Sequence, residues 1–166
     1  DSRPVVAAAR EEAENAERRA DKGHKGASCG AALLLPDGET VAAGHNSPLF
    51  HAASALVINA IKELAGIPGH LDLISRNVIE SIGHLRKDIL GRGSISLNLE
   101  NTMIALSISA TTNPIAQQAL EKLTELKGCE LHMTHIPSPG DEKGLRDLGV
   151  NLTCDAQFAT DKLFMS

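Results

Sequence analysis

Residues 30–44 read GAALLLPDGETVAAG, and no other stretch constrains the fold as tightly. Two apolar runs flank Pro36-Asp37-Gly38. Proline pre-sets the φ a turn needs and glycine takes φ > 0 without strain, so the spacing predicts a β-hairpin. The rest of the chain is then a question of what covers that hairpin.

Before it, PVVAAAREEAENAERRADK predicts a helix over residues 4–22, with Pro4 suited to its first position. Its Glu residues precede Arg and Lys, which complements the helix dipole. So much Ala and charge places this helix on a surface or against a missing partner, and HKGASCG follows as a loop. After the hairpin, SPLFHAASALVINAIKELAG predicts a helix with apolar residues at 49, 53, 56, 57, 60, 61 and 64. Ser47 reads as its N-cap, Pro48 as its first residue and Gly66 as its stop.

HLDLIS (70–75) reads as a short strand, and residues 75–91 as a helix capped by Ser75. Residues 97–113 and 114–128 read as two helices that meet at Asn113-Pro114. The first of them is apolar nearly all round, which predicts burial. CELHMTHI (129–136) reads as a strand, PGDEKGLRDLG as a short helix and VNLTCD (150–155) as a last strand.

Strands separated by helices predict a three-layer α/β/α sandwich of about five mixed strands, with an inserted helix pair. The hairpin strands are antiparallel, and the later strands are parallel through right-handed crossovers. The reading divides the chain into an N-terminal helix and loop, 1–29, and an α/β/α subdomain, 30–166. At 166 residues the chain is long enough to bury a real core.

Lys and Arg number 16 against 21 Asp and Glu, a formal net charge of −5. That balance argues against a nucleic-acid module, which carries a basic face. Trp and Tyr are absent and Phe occurs three times, so base-stacking platforms are lacking too. Cys29, Cys129 and Cys154 are far apart and form no CxxC, which reads as reduced thiols in a cytoplasmic protein. No apolar run approaches the length of a membrane span. The chain opens on DSRP without an initiator Met, as an excised piece of a longer protein does.

The element order resembles the cytidine-deaminase-like fold. Zinc deaminases place H-x-E at the helix after the hairpin and P-C-x-x-C at the next helix. Here the first place reads His51-Ala52-Ala53 and the second Ser75-Arg76-Asn77-Val78. One His cannot supply three ligands and a base, so no metal and no cofactor are expected.

An anion at the helix start is the more durable idea, with Asn46, Ser47 and His51 around free N–H groups. The plainer reading is a capped helix, and no GxxxxGK[ST] or GxGxxG supports the other. His132 and His135 lie three apart in a strand and point to opposite faces, against a shared metal. Thr112 and Asn113 present polar groups at the break between two helices; Asn113 reads first as the cap of the second. Cys29 follows small polar residues and is a candidate for exposure, whereas Cys154 reads as a buried strand residue.

SALVINAIKELAGI, LDLIS, LENTMIALSISATTNPIAQQALEKLTELKGCELH and DEKGLRDLGVNLTCD, in that order, resemble the C-terminal part of a bacterial family. It is uncharacterised protein family 0371, or domain of unknown function 1846, and the resemblance covers roughly residues 30–160. It implies a deaminase-like three-layer architecture and an N-terminal region absent here. It carries over no catalytic residue, and His51 departs from the small residue the family tends to have. Ser47, Ser54, Asn59, Ser109, Thr112 and Asn113 match its polar positions.

The preferred reading is a structural or oligomerising C-terminal subdomain of a larger cytosolic protein, forming one wall of an interdomain cleft. Its partners are the N-terminal part of that protein and other copies of itself, with neither nucleic acid nor membrane. The alternative is part of an enzyme that binds a nucleotide or another phosphorylated small molecule.

Overall fold

A computed structural model describes residues 3–19, 27–93 and 95–158. The hairpin forms as β1 (Gly30–Leu34) and β2 (Val41–His45), paired antiparallel with Leu34 opposite Val41. Asp37 closes the turn by accepting the Glu39 and Thr40 N–H groups at 2.9 and 2.8 Å, and Gly38 takes φ 75°. β3 (Glu130–Met133) pairs antiparallel with β1, and β4 (Asn151–Cys154) pairs parallel with β3. The sheet is mixed, in the order β2-β1-β3-β4.

Among the described residues four strands form, not the five expected. HLDLIS pairs with nothing: the Leu71 N–H closes a turn on the Pro68 carbonyl, and the Ser75 N–H donates to Ser109 Oγ at 3.0 Å. Leu73 and Ile74 are buried all the same, so the apolar signal that read as a strand belongs to a core-facing loop.

Side chains alternate along a strand, so the hairpin has two apolar faces. α1 (Pro4–Arg18) covers one through Val5, Val6 and Ala9, which pack on Ala32. It is an outer layer of the fold, on the surface as its Ala and charge imply, with one face packed on the sheet; residues 20–22 of the expected helix lie outside the described residues. α2 (Ala52–Ala65) covers the other face through Leu56, Val57, Ala60 and Ile61, which join Ala31 and Leu33 in the main core.

Two glycines set these distances. A Cβ on Gly30 would stand 2.1 Å from the Ala9 carbonyl oxygen, and one on Gly44 would stand 2.4 Å from the Leu56 nitrogen. Each helix backbone thus approaches the sheet where there is no side chain to hold it off.

α2 starts four residues later than the Ser47-Pro48 reading. Its N-cap is His51, without a side-chain capping bond, while Ser47 Oγ accepts from Leu49 and Phe50 in a separate turn before the helix. Gly66 ends α2 at φ 69°. α3 (Arg76–Gly83) is capped by Ser75 and runs into a π-helical turn, His84–Ile89. α4 (Leu99–Ala110) and α5 (Pro114–Glu121) meet at Asn113, and Lys122–Leu126 extends α5 as a 3₁₀ turn. α6 (Pro139–Leu148) makes the crossover from β3 to β4.

α4 departs from the all-round burial its composition implies. Leu99, Ala105, Leu106 and Ala110 are buried, but Ile104 and Ile108 are 56% and 48% exposed. Cys154 is exposed because β4 is an edge strand. No helix among the described residues is long and apolar enough to cross a membrane.

Gly44→Ala is expected to lower the unfolding free energy by about 3 kcal/mol, the upper range for overpacking. Gly69→Ala meets nothing within 4 Å, and a change below about 0.5 kcal/mol is expected there. Urea unfolding of both variants checks the contrast.

Candidate functional site

The loop before α2 is tied down by its own polar groups. Asn46 Oδ1 accepts the Cys29 N–H at 2.9 Å, and Asn46 Nδ2 donates to the Ala27 carbonyl at 2.9 Å. Residues 49–51 then run beside residue 97. The Leu97 N–H donates to the Leu49 carbonyl at 2.8 Å, and the His51 N–H to the Leu97 carbonyl at 2.9 Å. Ser54 Oγ adds a bond to the same carbonyl at 3.0 Å. This short zipper sets the start of α4 next to the start of α2.

α6 supplies the third side. Ser138 caps it by accepting the Asp141 N–H at 3.3 Å, and Asp141 is 3% exposed. One Asp141 oxygen contacts His51 Nδ1 at 2.8 Å, and the other accepts the Leu99 N–H at 2.8 Å. Three helix starts, distant in sequence, thus close on one carboxylate.

Gly140 makes the approach possible, since a Cβ there would lie 2.3 Å from Asn98 Nδ2. Arg86 is nearly buried beside them and donates to Asn101. Burial lowers its pKa first, Arg92 lowers it further, and Asp141 opposes both.

A carboxylate accepts only, so the Asp141 contact takes a proton on His51 Nδ1 and fixes the orientation of the ring. Such an oriented imidazole is the positioned half of an acid–base pair. Its Nδ1 partner, the burial of the carboxylate and the Leu99 anchor are in place. Cys29 is 6% exposed, and burial first, then Asp141, pushes its thiol up to about 12. A thiol in that state is inert at neutral pH, contrary to the exposure its neighbours implied.

The expected site residues divide between two places. Asn46, Ser47 and His51 share the α2 entrance, where Asn46 and Ser47 spend polar atoms on backbone groups. Thr112 and Asn113 sit beyond the other end of α4, which has 12 residues and is about 18 Å long. Asn113 accepts from Ile115 and Ala116 as the cap of α5, and Thr112 is exposed.

His132 contacts Thr153 and Asp155 at 2.7 and 3.1 Å, while His135 contacts Thr134 at 2.7 Å. Among the described residues no three His, Cys, Asp or Glu side chains are grouped to hold a metal ion. Sequence reading missed Asp141, although Ser138-x-x-Asp141 has the capping-box spacing that signals a helix start.

Together these features define a mixed α/β unit whose crossover helix is locked to two other helix starts. The chain belongs to the family described as domain of unknown function DUF1846, C-terminal, whose model matches residues 1–164. It is 40% identical over 164 residues to a UPF0371 protein of Clostridium tetani, covering 99% of this chain and 32% of that protein. A UPF0371 protein of Clostridioides difficile is 40% identical over 167 residues, covering 100% of this chain and 32% of that one. Another, from Clostridium botulinum strain Alaska E43, is 46% identical over 133 residues, covering 80% and 26%. The chain thus spans about a third of the length of the curated relatives it matches.

Asp141→Ala leaves the Leu99 N–H and His51 without their partner, and a loss of about 2 kcal/mol or more is expected in urea unfolding. Cys29 yields a pH dependence. Its folded value of about 12 exceeds the ordinary 9.0, so the unfolded chain loses that proton first. The stability tied to Cys29 is complete below pH 9.0 and falls between 9.0 and about 12. Cys29→Ala is expected to flatten the alkaline decline in Tm; matching slopes would contradict the assignment.

Proposed function

We propose that this unit is a docking and oligomerising subdomain of a larger cytosolic protein and forms one wall of an interdomain cleft. One observation carries the reading. Of the eight large apolar side chains exposed among the described residues, seven fall between 85 and 115: Leu85, Ile89, Leu90, Ile95, Ile104, Ile108 and Ile115. Ile104 and Ile108 are four apart on α4, as are Leu85 and Ile89 in the π turn, so each pair shares a helix face. Apolar side chains concentrated in one segment fit a surface made to be covered. The occupant we assign is the remaining two thirds of the parent protein, on the length of chain the relatives have beyond this unit.

The finer likeness, to the cytidine-deaminase-like fold, belongs to the same proposal. The antiparallel hairpin, the parallel pair joined through α6 and helices on both faces support it. Because residues 70–75 form no strand, the helix after the next strand is α6, not α3. Its start reads Pro137-Ser138-Pro139-Gly140-Asp141, the spacing of P-C-x-x-C without either thiol. His51 and Asp141 then stand at the two places where such enzymes carry ligands. One imidazole and one carboxylate, with Ala53 in place of the proton-shuttling Glu, argue against zinc deamination.

The alternative is an enzyme for a nucleotide or other phosphorylated small molecule, with Asn46, Ser47 and His51 on the anion and Thr112 and Asn113 as further contacts. The His51–Asp141 pair favours it as a proton-transfer group. The bonds that Asn46, Ser47 and Asn113 already make favour docking instead.

Ile104→Glu/Ile108→Glu in the full-length protein separates the two. Docking predicts a smaller oligomer by light scattering, or release of this unit on limited proteolysis. The 166-residue chain carrying the same changes is expected to keep its Tm, since both side chains face outward. A full-length protein unchanged in mass and protease resistance would reject docking through this face.

A further inference from the structure

A cavity of about 280 Å³ lies between α2, the loop before it and residues 72–79, with Leu49 and Phe50, next to His51, in its wall. Its size is near the lower end for small-molecule sites, which run about 300–1,000 Å³. Phe50, Ile58, Ile74 and Ile79 supply apolar wall, and Lys62, Asp72 and Arg76 supply charge.

Lys62 is the unusual member. It is 7% exposed, and its ammonium donates to the Gly69 carbonyl at 3.0 Å. Among the described residues no carboxylate forms an ion pair with Lys62 or Arg76. A buried ammonium costs stability unless an anion or several acceptors compensate it. Neighbouring buried positions of α2 are Ala, Leu, Val and Ile, so an apolar residue at 62 would serve packing better. Burial lowers the Lys62 pKa from its ordinary value, and Asp72 partly opposes that. The lining residues include two cations, buried Lys62 and exposed Arg76, against one carboxylate, exposed Asp72, which leaves one positive charge to be balanced beside apolar wall.

We propose that this cavity binds a small carboxylate with a compact apolar body. The carboxylate sits on Lys62 and Arg76, and the hydrocarbon packs against Phe50, Ile58 and Ile79. This assignment is independent of the docking face, which lies on other residues.

The test titrates the 166-residue chain with hexanoate, hexanol and hexylamine, read by amide chemical shifts of residues 58–79. Hexanoate is expected to saturate, and hexanol to bind about tenfold more weakly, the loss of one charge-assisted bond. Hexylamine is expected not to bind. Lys62→Met removes the charge and keeps the length; it is expected to leave Tm unchanged or higher and to erase the preference for hexanoate. Arg76→Gln is an exposed change that leaves the fold alone, and it is expected to weaken hexanoate about threefold. Hexanoate that fails to bind, hexanol that matches it, or a preference that survives Lys62→Met with Arg76→Gln also silent would overturn the proposal.

Discussion

A single buried carboxylate holds the architecture in register. Asp141 binds the His51 ring and the Leu99 N–H from the first turn of α6, so it ties the crossover helix to the starts of α2 and α4. The Leu99 N–H lies in the first turn of α4, where no intrahelical acceptor exists. A carboxylate in that position also answers the positive end of the helix dipoles. Removing it would strand donors in a dry place, and for that reason the junction is more than a chance contact.

The geometry of the inserted helices follows from this. α4 is fixed at its start by Asp141 and Asn98, and Asn113 fixes the step to α5. The helix therefore cannot roll to bury Ile104 and Ile108 against the core. Its inner side already carries Leu99, Ala105, Leu106 and Ala110. The exposed face is the price of a locked start, and it becomes an asset if another part of a longer chain rests on it. Beneath the layers, Gly30 and Gly44 let α1 and α2 sit directly on the hairpin, one on each side.

Much of the fold was legible because its signals are local. Pro36-Asp37-Gly38 announced the hairpin, and Ser75, Asn113 and Gly66 announced helix ends through bonds that span a few residues. The errors came from patterns with two meanings. HLDLIS alternates like a strand but is a loop whose Leu73 and Ile74 reach the core. Ser47-Pro48 has the chemistry of a helix start, yet Ser47 spends its oxygen on a turn and the helix waits for His51. The composition of α4 told how apolar it is, not which face would be covered. The Asp141 junction joins residues 51, 98, 99 and 141, and no local pattern encodes such a meeting; only the cap spacing hinted at one member.

The proposed docking buries the outer face of residues 85–115 in the parent protein. Hydroxyl-radical footprinting compares this chain with the full-length protein, side chain by side chain. Docking through this face predicts that Leu85, Ile89, Ile104 and Ile108 react readily in the isolated chain and are protected in the full-length protein. Equal reactivity of these four side chains in both would contradict it.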